Sequence, residues 1–110
     1  MVTPDDVRRY IAAGLECDTV AGLVGIDLMG PDDFPTLQKH DLLGTMTRSH
    51  SISPGLNRKQ NWDKCLEAMR YSIEKTSAAG CVNVICFSGN REGMSDEEGL
   101  ENCAAALTQI

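Results

Sequence analysis

Three short apolar runs, each followed by a stretch with helical spacing, limit what this chain can fold into more than any other feature. The apolar runs occupy 23–29, 43–49 and 82–87, and helical spacing is found at 3–21, 32–40, 58–79 and from 95 onward. Strands that alternate with helices pair in parallel and are joined by right-handed crossovers. The sequence therefore predicts an α/β fold with about three parallel strands and four helices.

The helix at 58–79 has the clearest pattern of the four. Its apolar side chains recur at helical spacing and form one stripe: Trp62, Cys65, Leu66, Met69 and Ile73. Gly80 follows, and a glycine just beyond the last turn commonly ends a helix. Ser95 and Glu98 have the spacing of a capping box, which predicts that the last helix begins there.

The two ends of this pattern predict an incomplete fold. The chain opens on a helix instead of a strand, and it closes on an apolar helical face formed by Leu100, Cys103, Ala104 and Leu107. Three parallel strands would also leave both sheet edges unpaired, which native domains normally avoid. We therefore expect residues 1–110 to be a single, incomplete α/β segment. The alternative is a small three-layer domain that stands alone.

The charge balance bears on the class of partner. Ten Lys and Arg residues stand against sixteen Asp and Glu residues, so the net charge is −6, whereas nucleic-acid-binding domains usually carry a basic patch. No run approaches the roughly 20 apolar residues that cross a bilayer, and the first residues lack the pattern of a secretory signal. The sequence predicts neither a nucleic-acid nor a membrane partner.

The five cysteines indicate a cytoplasmic protein with reduced thiols. They form no C-x-x-C pair and have no histidine at zinc-finger spacing: Cys17, Cys65, Cys81, Cys86 and Cys103. Most have apolar neighbours in the sequence, where a free cysteine behaves as a small hydrophobe. Free thiols without a secretory signal are typical of the cytoplasm.

Ligands of parallel α/β folds bind at the carboxyl ends of the strands, which directs attention to three short segments. Asp27 lies within the first apolar run, near its end, and His50 follows the second. Asp27 is interpreted as a supporting residue, because a carboxylate within an apolar strand needs a polar partner. His50 could bind a substrate oxygen or a metal; equally, it could be a loop histidine bonded to the backbone.

The turn after the third run, Ser88-Gly89-Asn90-Arg91, is a second candidate. Gly89 permits close backbone approach, Asn90 can donate and accept, and the guanidinium of Arg91 fits a carboxylate or phosphate. The alternative is an ordinary strand-to-helix turn in which Arg91 pairs with Glu92 or Asp96 on the surface. The chain contains no phosphate-binding loop, dinucleotide fingerprint, zincin motif or nucleophile elbow.

Several segments resemble the hydroxypyruvate isomerase-like family of the xylose isomerase-like barrel superfamily. The resemblance covers roughly residues 23–110 and rests on 25–28, 31–37, 49–52, 55–58, 83–93 and 95–103, with 87–91 as the most specific part. It implies a partial TIM (β/α)8 barrel of which this chain supplies the second, third and fourth strands. It further implies a cytoplasmic enzyme of carbohydrate metabolism.

The resemblance also implies a function, namely metal-dependent interconversion of an aldehyde and a ketone on a sugar or hydroxy acid. The residues implied to bind the substrate are His50, Asn57, Ser88, Asn90 and Arg91. The family's divalent metal, manganese or magnesium, and its catalytic acids are implied to belong to later strands, so this chain is expected to hold neither. We therefore expect an N-terminal part that is inactive alone and whose partners are a small hydroxy-carbonyl substrate and either the missing C-terminal half or a second copy.

Two other functions remain open from the sequence. One is a non-catalytic remnant of such a barrel, or a scaffold that associates with itself. The other, an abasic-site endonuclease of the same superfamily, would need several histidine and glutamate ligands and a basic surface. A single histidine at a strand end, His50, and a net charge of −6 argue against the endonuclease.

Overall fold

A computed structural model of the chain describes Asp5 and residues 25–110. The predicted helix at 3–21, apart from Asp5, and the first two residues of the predicted strand at 23–29 lie outside the described residues. The elements in chain order are β1 (Gly25–Ile26), α1 (Phe34–Lys39), β2 (Leu43–Gly44), β3 (Thr47–Arg48), a 3-10 turn (Lys59–Asn61), α2 (Trp62–Ala78), β4 (Val84–Ile85) and α3 (Asp96–Leu107).

The strands form two separate two-stranded parallel sheets, one of β1 with β2 and one of β3 with β4. In the second sheet Thr47 lies opposite Val84 and Arg48 opposite Ile85. A single bridge from Met29 to Thr47 runs between the two sheets. The apolar run at 43–49 thus contributes to both sheets, because its ladder is interrupted at residues 45–46.

The predicted partial TIM barrel is wrong. Each strand has only two residues in the ladder, and the strands are divided between two small sheets, so the described chain is a small mixed α/β structure. A barrel requires one continuous sheet whose strands tilt and stagger together. The alternation of apolar runs and helices correctly predicted parallel pairing, but pairing between neighbouring strands does not determine how many strands join or whether a sheet closes.

Helix α2 differs from its predicted stripe at one position. Cys65, Leu66 and Met69 are buried as expected, but Ile73 is 40% exposed. The buried positions continue instead through Ser72 and Thr76. Both hydroxyls face β3. Ser72 donates to the carbonyl of Arg48 (3.1 Å), and the hydroxyls of Thr76 and Thr47 are hydrogen-bonded at 2.9 Å. Local hydrogen bonding to β3 therefore compensates for the polarity of this side of the helix.

The residues found at the ends of the helices are of types that favour those positions. Pro35 lies in the first turn of α1, where its missing N–H costs no helical hydrogen bond. Ser95 caps α3, since its hydroxyl accepts from the Glu98 N–H at 3.2 Å. Gly80 follows α2 with a φ of +75°, a conformation that glycine adopts without a steric penalty. The predictions for Ser95 and Gly80 are confirmed.

Two apolar clusters hold the described part of the chain together. One combines α2 and α3 with the loop after β3 and consists of Leu56, Cys65, Leu66, Met69 and Ala106. The other packs α1 against the first sheet and consists of Met29, Phe34 and Leu37. Leu56 and Cys86, which follow β3 and β4, connect the first cluster with the part of the surface where a ligand was predicted. Within residues 25–110, every helix is too short or too polar to cross a membrane.

Candidate functional site: the strand-end clasp

Two loop segments that follow β3 and β4 lie side by side, and we call residues 55–57 and 87–90 together the strand-end clasp. The Leu56 N–H donates to the Phe87 carbonyl at 3.2 Å, and the Asn57 N–H donates to the Ser88 carbonyl at 2.7 Å. These bonds continue the contact between β3 and β4 beyond the strands themselves. The clasp therefore fixes the two predicted ligand-binding loops relative to each other.

The clasp depends on two glycines whose backbones touch. A Cβ atom added to Gly55 would lie 2.2 Å from the Gly89 Cα, well inside any permitted contact. Gly89 has a φ of +106°, in the region that side chains with a Cβ rarely adopt. Its own added Cβ would meet the Asn57 Oδ1. Both positions therefore require glycine, for close approach at Gly55 and for close approach and conformation at Gly89.

The carbonyls of the first clasp segment are satisfied by side chains. Three successive carbonyls each accept from a side-chain N–H of a helical residue: Gly55 from Asn61 (3.0 Å), Leu56 from the Trp62 indole (2.8 Å) and Asn57 from Asn102 (2.9 Å). Buried main-chain groups normally need such partners, because leaving them unpaired is costly. The segment at 55–57 is therefore fixed by its main-chain bonds to the other clasp segment and by these three side chains, although it belongs to no helix or strand.

Asn57 lies inside the clasp. Asn57 is only 5% exposed, and its side-chain Nδ2 donates to the main-chain carbonyl of Asn90 at 2.8 Å. The predicted substrate residue thus has a position at the site, but its amide N–H is used to join the two segments. It determines where Asn90 and its neighbours lie.

His50 also contacts the main chain. Its Nδ1 lies 2.9 Å from the Ser51 carbonyl, and its Nε2 lies 3.4 Å from the Phe87 N–H. Because the first partner can only accept and the second can only donate, this geometry fits the neutral ring with its hydrogen on Nδ1. The ring also meets Phe87 edge-on, with centroids 6.1 Å apart. The imidazole therefore connects the loop after β3 with the end of β4.

The polar rim of the clasp is formed by the exposed side chains of Ser88 and Asn90 together with that of the adjacent Arg91. Hydroxyl, amide and guanidinium groups together can recognise hydroxyl and carboxylate oxygens. The Arg91 guanidinium forms an ion pair with Asp96, the surface pairing that the sequence left open as an alternative. Arg91 therefore belongs to the rim, but its guanidinium is also paired with the carboxylate of Asp96 at the start of α3.

Arg58 holds the turn beyond the rim. Its guanidinium donates to the Arg91 carbonyl at 3.0 Å and lies 3.6 Å from the Glu92 carboxylate. Arg58, Trp62 and Asn102 all position the clasp or its neighbouring turn, although none of them was predicted to belong to the site. A tryptophan in an apolar stripe and an asparagine within a helix give no signal that their N–H groups bond a distant loop.

Asp27 lies away from the clasp. It directly follows β1 and is exposed, and its carboxylate accepts from the Thr45 hydroxyl at 3.1 Å. The expectation of an acid within an apolar strand was therefore wrong about its surroundings, since the strand is shorter than the apolar run.

The described residues do not fit the divalent metal that the resemblance implies. Within residues 25–110 no group of three or more His, Cys, Asp or Glu side chains is placed to hold a metal ion. The His50 nitrogens are occupied by main-chain groups. The charged and polar groups that the site offers a ligand are therefore those of the polar rim.

Cysteine side chains line the apolar base of the clasp. Cys86 and Cys103 pack against the Leu56 cluster, and burial, with a smaller contribution from nearby Cys86, raises the pKa of the Cys103 thiol. Burial likewise raises the pKa of Cys65. A raised thiol pKa reduces the thiolate fraction and hence reactivity. Cys65 belongs to the apolar cluster and Cys86 and Cys103 pack against it, as the apolar neighbours of these cysteines in the sequence predicted.

A shallow groove lies elsewhere, between α1 and the end of α2. It has a volume of about 240 Å³ and is lined by Pro31, Asp32, Phe34, Pro35, Gln38, Lys75, Ala78 and Ala79. Near it, the Tyr71 hydroxyl donates to Asp32, a bond that raises the pKa of Tyr71. None of the predicted site residues lines this groove.

Comparisons with protein-family models, curated proteins and solved structures gave no match for this chain. The class of protein that its structure defines is a small mixed α/β fold with a polar strand-end site.

Proposed function

We propose that the strand-end clasp binds a small hydroxy-carbonyl acid, and that the chain is the substrate-binding part of an isomerase of the hydroxypyruvate isomerase type. The observation that carries the proposal is the juxtaposition of the loops after β3 and β4, whose main-chain bonds keep the exposed rim in place. The resemblance in 83–93 includes the whole second clasp segment. Both point to the same part of the surface.

The rim offers groups that match such a ligand. The amide of Asn90 can donate to a carbonyl oxygen and accept from a hydroxyl, and the Ser88 hydroxyl can do the same. Arg91 supplies a positive charge for a carboxylate. A fixed backbone beneath these side chains reduces the ordering cost of binding.

Isomerase turnover is not expected from the 110-residue chain. Proton transfer next to a carbonyl needs a base and stabilisation of the enediolate, and the described residues offer no metal-binding group for this purpose. The function proposed for this chain is therefore binding. Turnover of hydroxypyruvate by the purified chain with added manganese or magnesium would contradict this part of the proposal.

Calorimetric titration with hydroxypyruvate tests the binding function. Ser88→Ala and Asn90→Ala are expected to weaken binding about three- to tenfold each, because each removes one hydrogen-bonding group from the rim. Ser77→Ala is the matched control, since Ser77 is an exposed serine on α2. Pyruvate, which lacks the hydroxyl group, is expected to bind more weakly. Equal affinities of all four proteins, or no binding at all, would contradict the proposal.

The ion pair between Arg91 and Asp96 gives a second prediction. Asp96→Asn removes the competing carboxylate, so it is expected to tighten hydroxypyruvate binding about two- to fivefold, the range that an exposed ion pair supports. Arg91→Ala is expected to weaken binding by a similar factor and to reduce its salt dependence. Titrations at low and high salt measure both effects. If Asp96→Asn leaves the affinity unchanged, Arg91 takes no part in binding.

We also propose that the protein is cytoplasmic. The four described cysteines are all free thiols: Cys65, Cys81, Cys86 and Cys103. Thiols that remain unpaired within one small fold are typical of a reducing compartment.

A further inference from the structure

Phe87 connects the His50 ring to the clasp through both of its main-chain groups. Its N–H donates to the His50 Nε2 at 3.4 Å, and its carbonyl accepts from the Leu56 N–H at 3.2 Å. Among the described residues, no main-chain carbonyl accepts from this N–H. The imidazole is therefore the acceptor that holds the main chain at this point, just beyond the ladder of β3 and β4.

The bond from Phe87 exists only while Nε2 carries no hydrogen. The other ring nitrogen, Nδ1, lies 2.9 Å from the Ser51 carbonyl, which can only accept. Nδ1 therefore holds the single hydrogen of the neutral ring, and Nε2 keeps the lone pair that the Phe87 N–H needs. A second proton would have to enter at Nε2, because both nitrogens of a charged imidazole are donors. Two N–H groups would then face each other, and the Phe87 N–H would lose its acceptor.

The surroundings of His50 offer a charged ring no compensating acid. Within residues 25–110 the ring forms no ion pair, and on the β4 side it meets the uncharged ring of Phe87. Arg48, two residues earlier, is positive and does not stabilise a second cation. Asp27, which follows β1, is bonded to a hydroxyl, and the Cys86 side chain packs against the apolar cluster of α2 and α3. The neutral ring is therefore the form that this geometry accommodates.

We propose that His50 makes the strand-end clasp sensitive to pH. At neutral pH the uncharged ring accepts from the Phe87 N–H and so holds the residue whose carbonyl bonds the first clasp segment. Proton uptake on Nε2 removes this acceptor, and the ring must turn away from Phe87. Histidine is the side chain that ordinarily changes charge between about pH 5 and 8. The contribution of this bond to stability is therefore present at neutral pH and is lost as the pH falls.

Urea unfolding at about pH 7.5 and about pH 5.5 tests the proposal with the two histidines of the chain. His50→Gln keeps an acceptor for the Phe87 N–H, namely the amide oxygen, which takes up no proton in this range. On acidification, the unfolding equilibrium constant of the wild type is expected to rise about three- to tenfold more than that of His50→Gln, the range of one net hydrogen bond.

His40→Gln is the matched control for this comparison. His40 is exposed at the end of α1, so this variant is expected to respond to pH as the wild type does. Equal responses of the wild type and His50→Gln, or a response that His40→Gln abolishes, would overturn the proposal.

Nuclear magnetic resonance on the wild-type chain tests the same contact without a substitution. At neutral pH the ring of His50 is expected to carry its hydrogen on Nδ1. As the pH falls, the amide resonance of Phe87 is expected to shift together with those of the ring, whereas the Thr45 amide, bonded to the Ile26 carbonyl, stays nearly constant. A neutral ring with its hydrogen on Nε2, or a Phe87 amide that does not follow the ring, would contradict the proposal. Neither test adds a ligand, so both are independent of the proposed binding function.

Discussion

Replacing Gly55 by alanine is expected to destabilise the fold by about 3 kcal/mol or more, at the upper end of what overpacking costs. The added Cβ would lie 2.2 Å from the Gly89 Cα and 2.5 Å from the Ser88 carbonyl oxygen. Both are main-chain atoms, so no side-chain rotation can relieve the contact. The two clasp segments would have to separate, which would break the hydrogen bonds between them. Urea unfolding followed by circular dichroism measures the loss.

Gly99→Ala provides the control for this substitution. Gly99 lies within α3, and an added Cβ would have only an ordinary contact, 3.7 Å from the Met94 sulfur. Since alanine favours a helix over glycine, this variant is expected to be more stable by about 0.5–1 kcal/mol. If Gly55→Ala unfolds at the same urea concentration as the wild type, the close contact of the two segments is wrong.

Asn57→Ala is expected to cost about 1.5–3 kcal/mol of stability, because a buried hydrogen bond is lost and its space is left empty. The Asn57 amide joins the loop after β3 to the Asn90 carbonyl. Without it the rim is less ordered, so hydroxypyruvate binding is also expected to weaken about tenfold or more. Unfolding curves and calorimetric titrations measure the two effects separately.

Asn90→Ala distinguishes the two asparagines. The clasp uses the main-chain carbonyl of Asn90, which alanine retains, and the Asn90 side chain is exposed. This variant should therefore keep its stability within about 0.5 kcal/mol, as exposed substitutions usually do, while it loses affinity. A large loss of stability for Asn90→Ala would show that both side chains are structural.

The sequence predicted where the helices begin and end better than it predicted the length of the strands and the size of the sheets. Ser95 and Gly80 marked the ends of α3 and α2 because capping depends on neighbours a few residues away. The length of a strand depends on its partner, so the apolar run at 43–49 became β2 and β3, with a break between them. The barrel prediction failed for a related reason. A barrel closes only when many strands join one continuous sheet, and the described strands form two separate sheets.

For the site, the sequence predicted which part of the chain is involved but not what each side chain contacts. Strand ends and polar residues pointed to His50, Ser88 and Asn90, and the structure places all three on or beside the clasp. Their local roles could not be read from the sequence. His50 uses its nitrogens on main-chain groups, because the end of β4 happens to pass within reach of its ring. The indole of Trp62 bonds the clasp for the same reason, namely a contact set by folding and not by residue type.

The most direct test of the account is a titration of the isotope-labelled chain with hydroxypyruvate, followed by amide resonances in nuclear magnetic resonance spectra. We expect saturable shifts that are largest at residues 88–91, with small changes at Asp32, Gln38 and Lys75 around the separate groove. Shifts centred on that groove, or spectra that hydroxypyruvate leaves unchanged, would contradict the assignment of the strand-end clasp as the binding site.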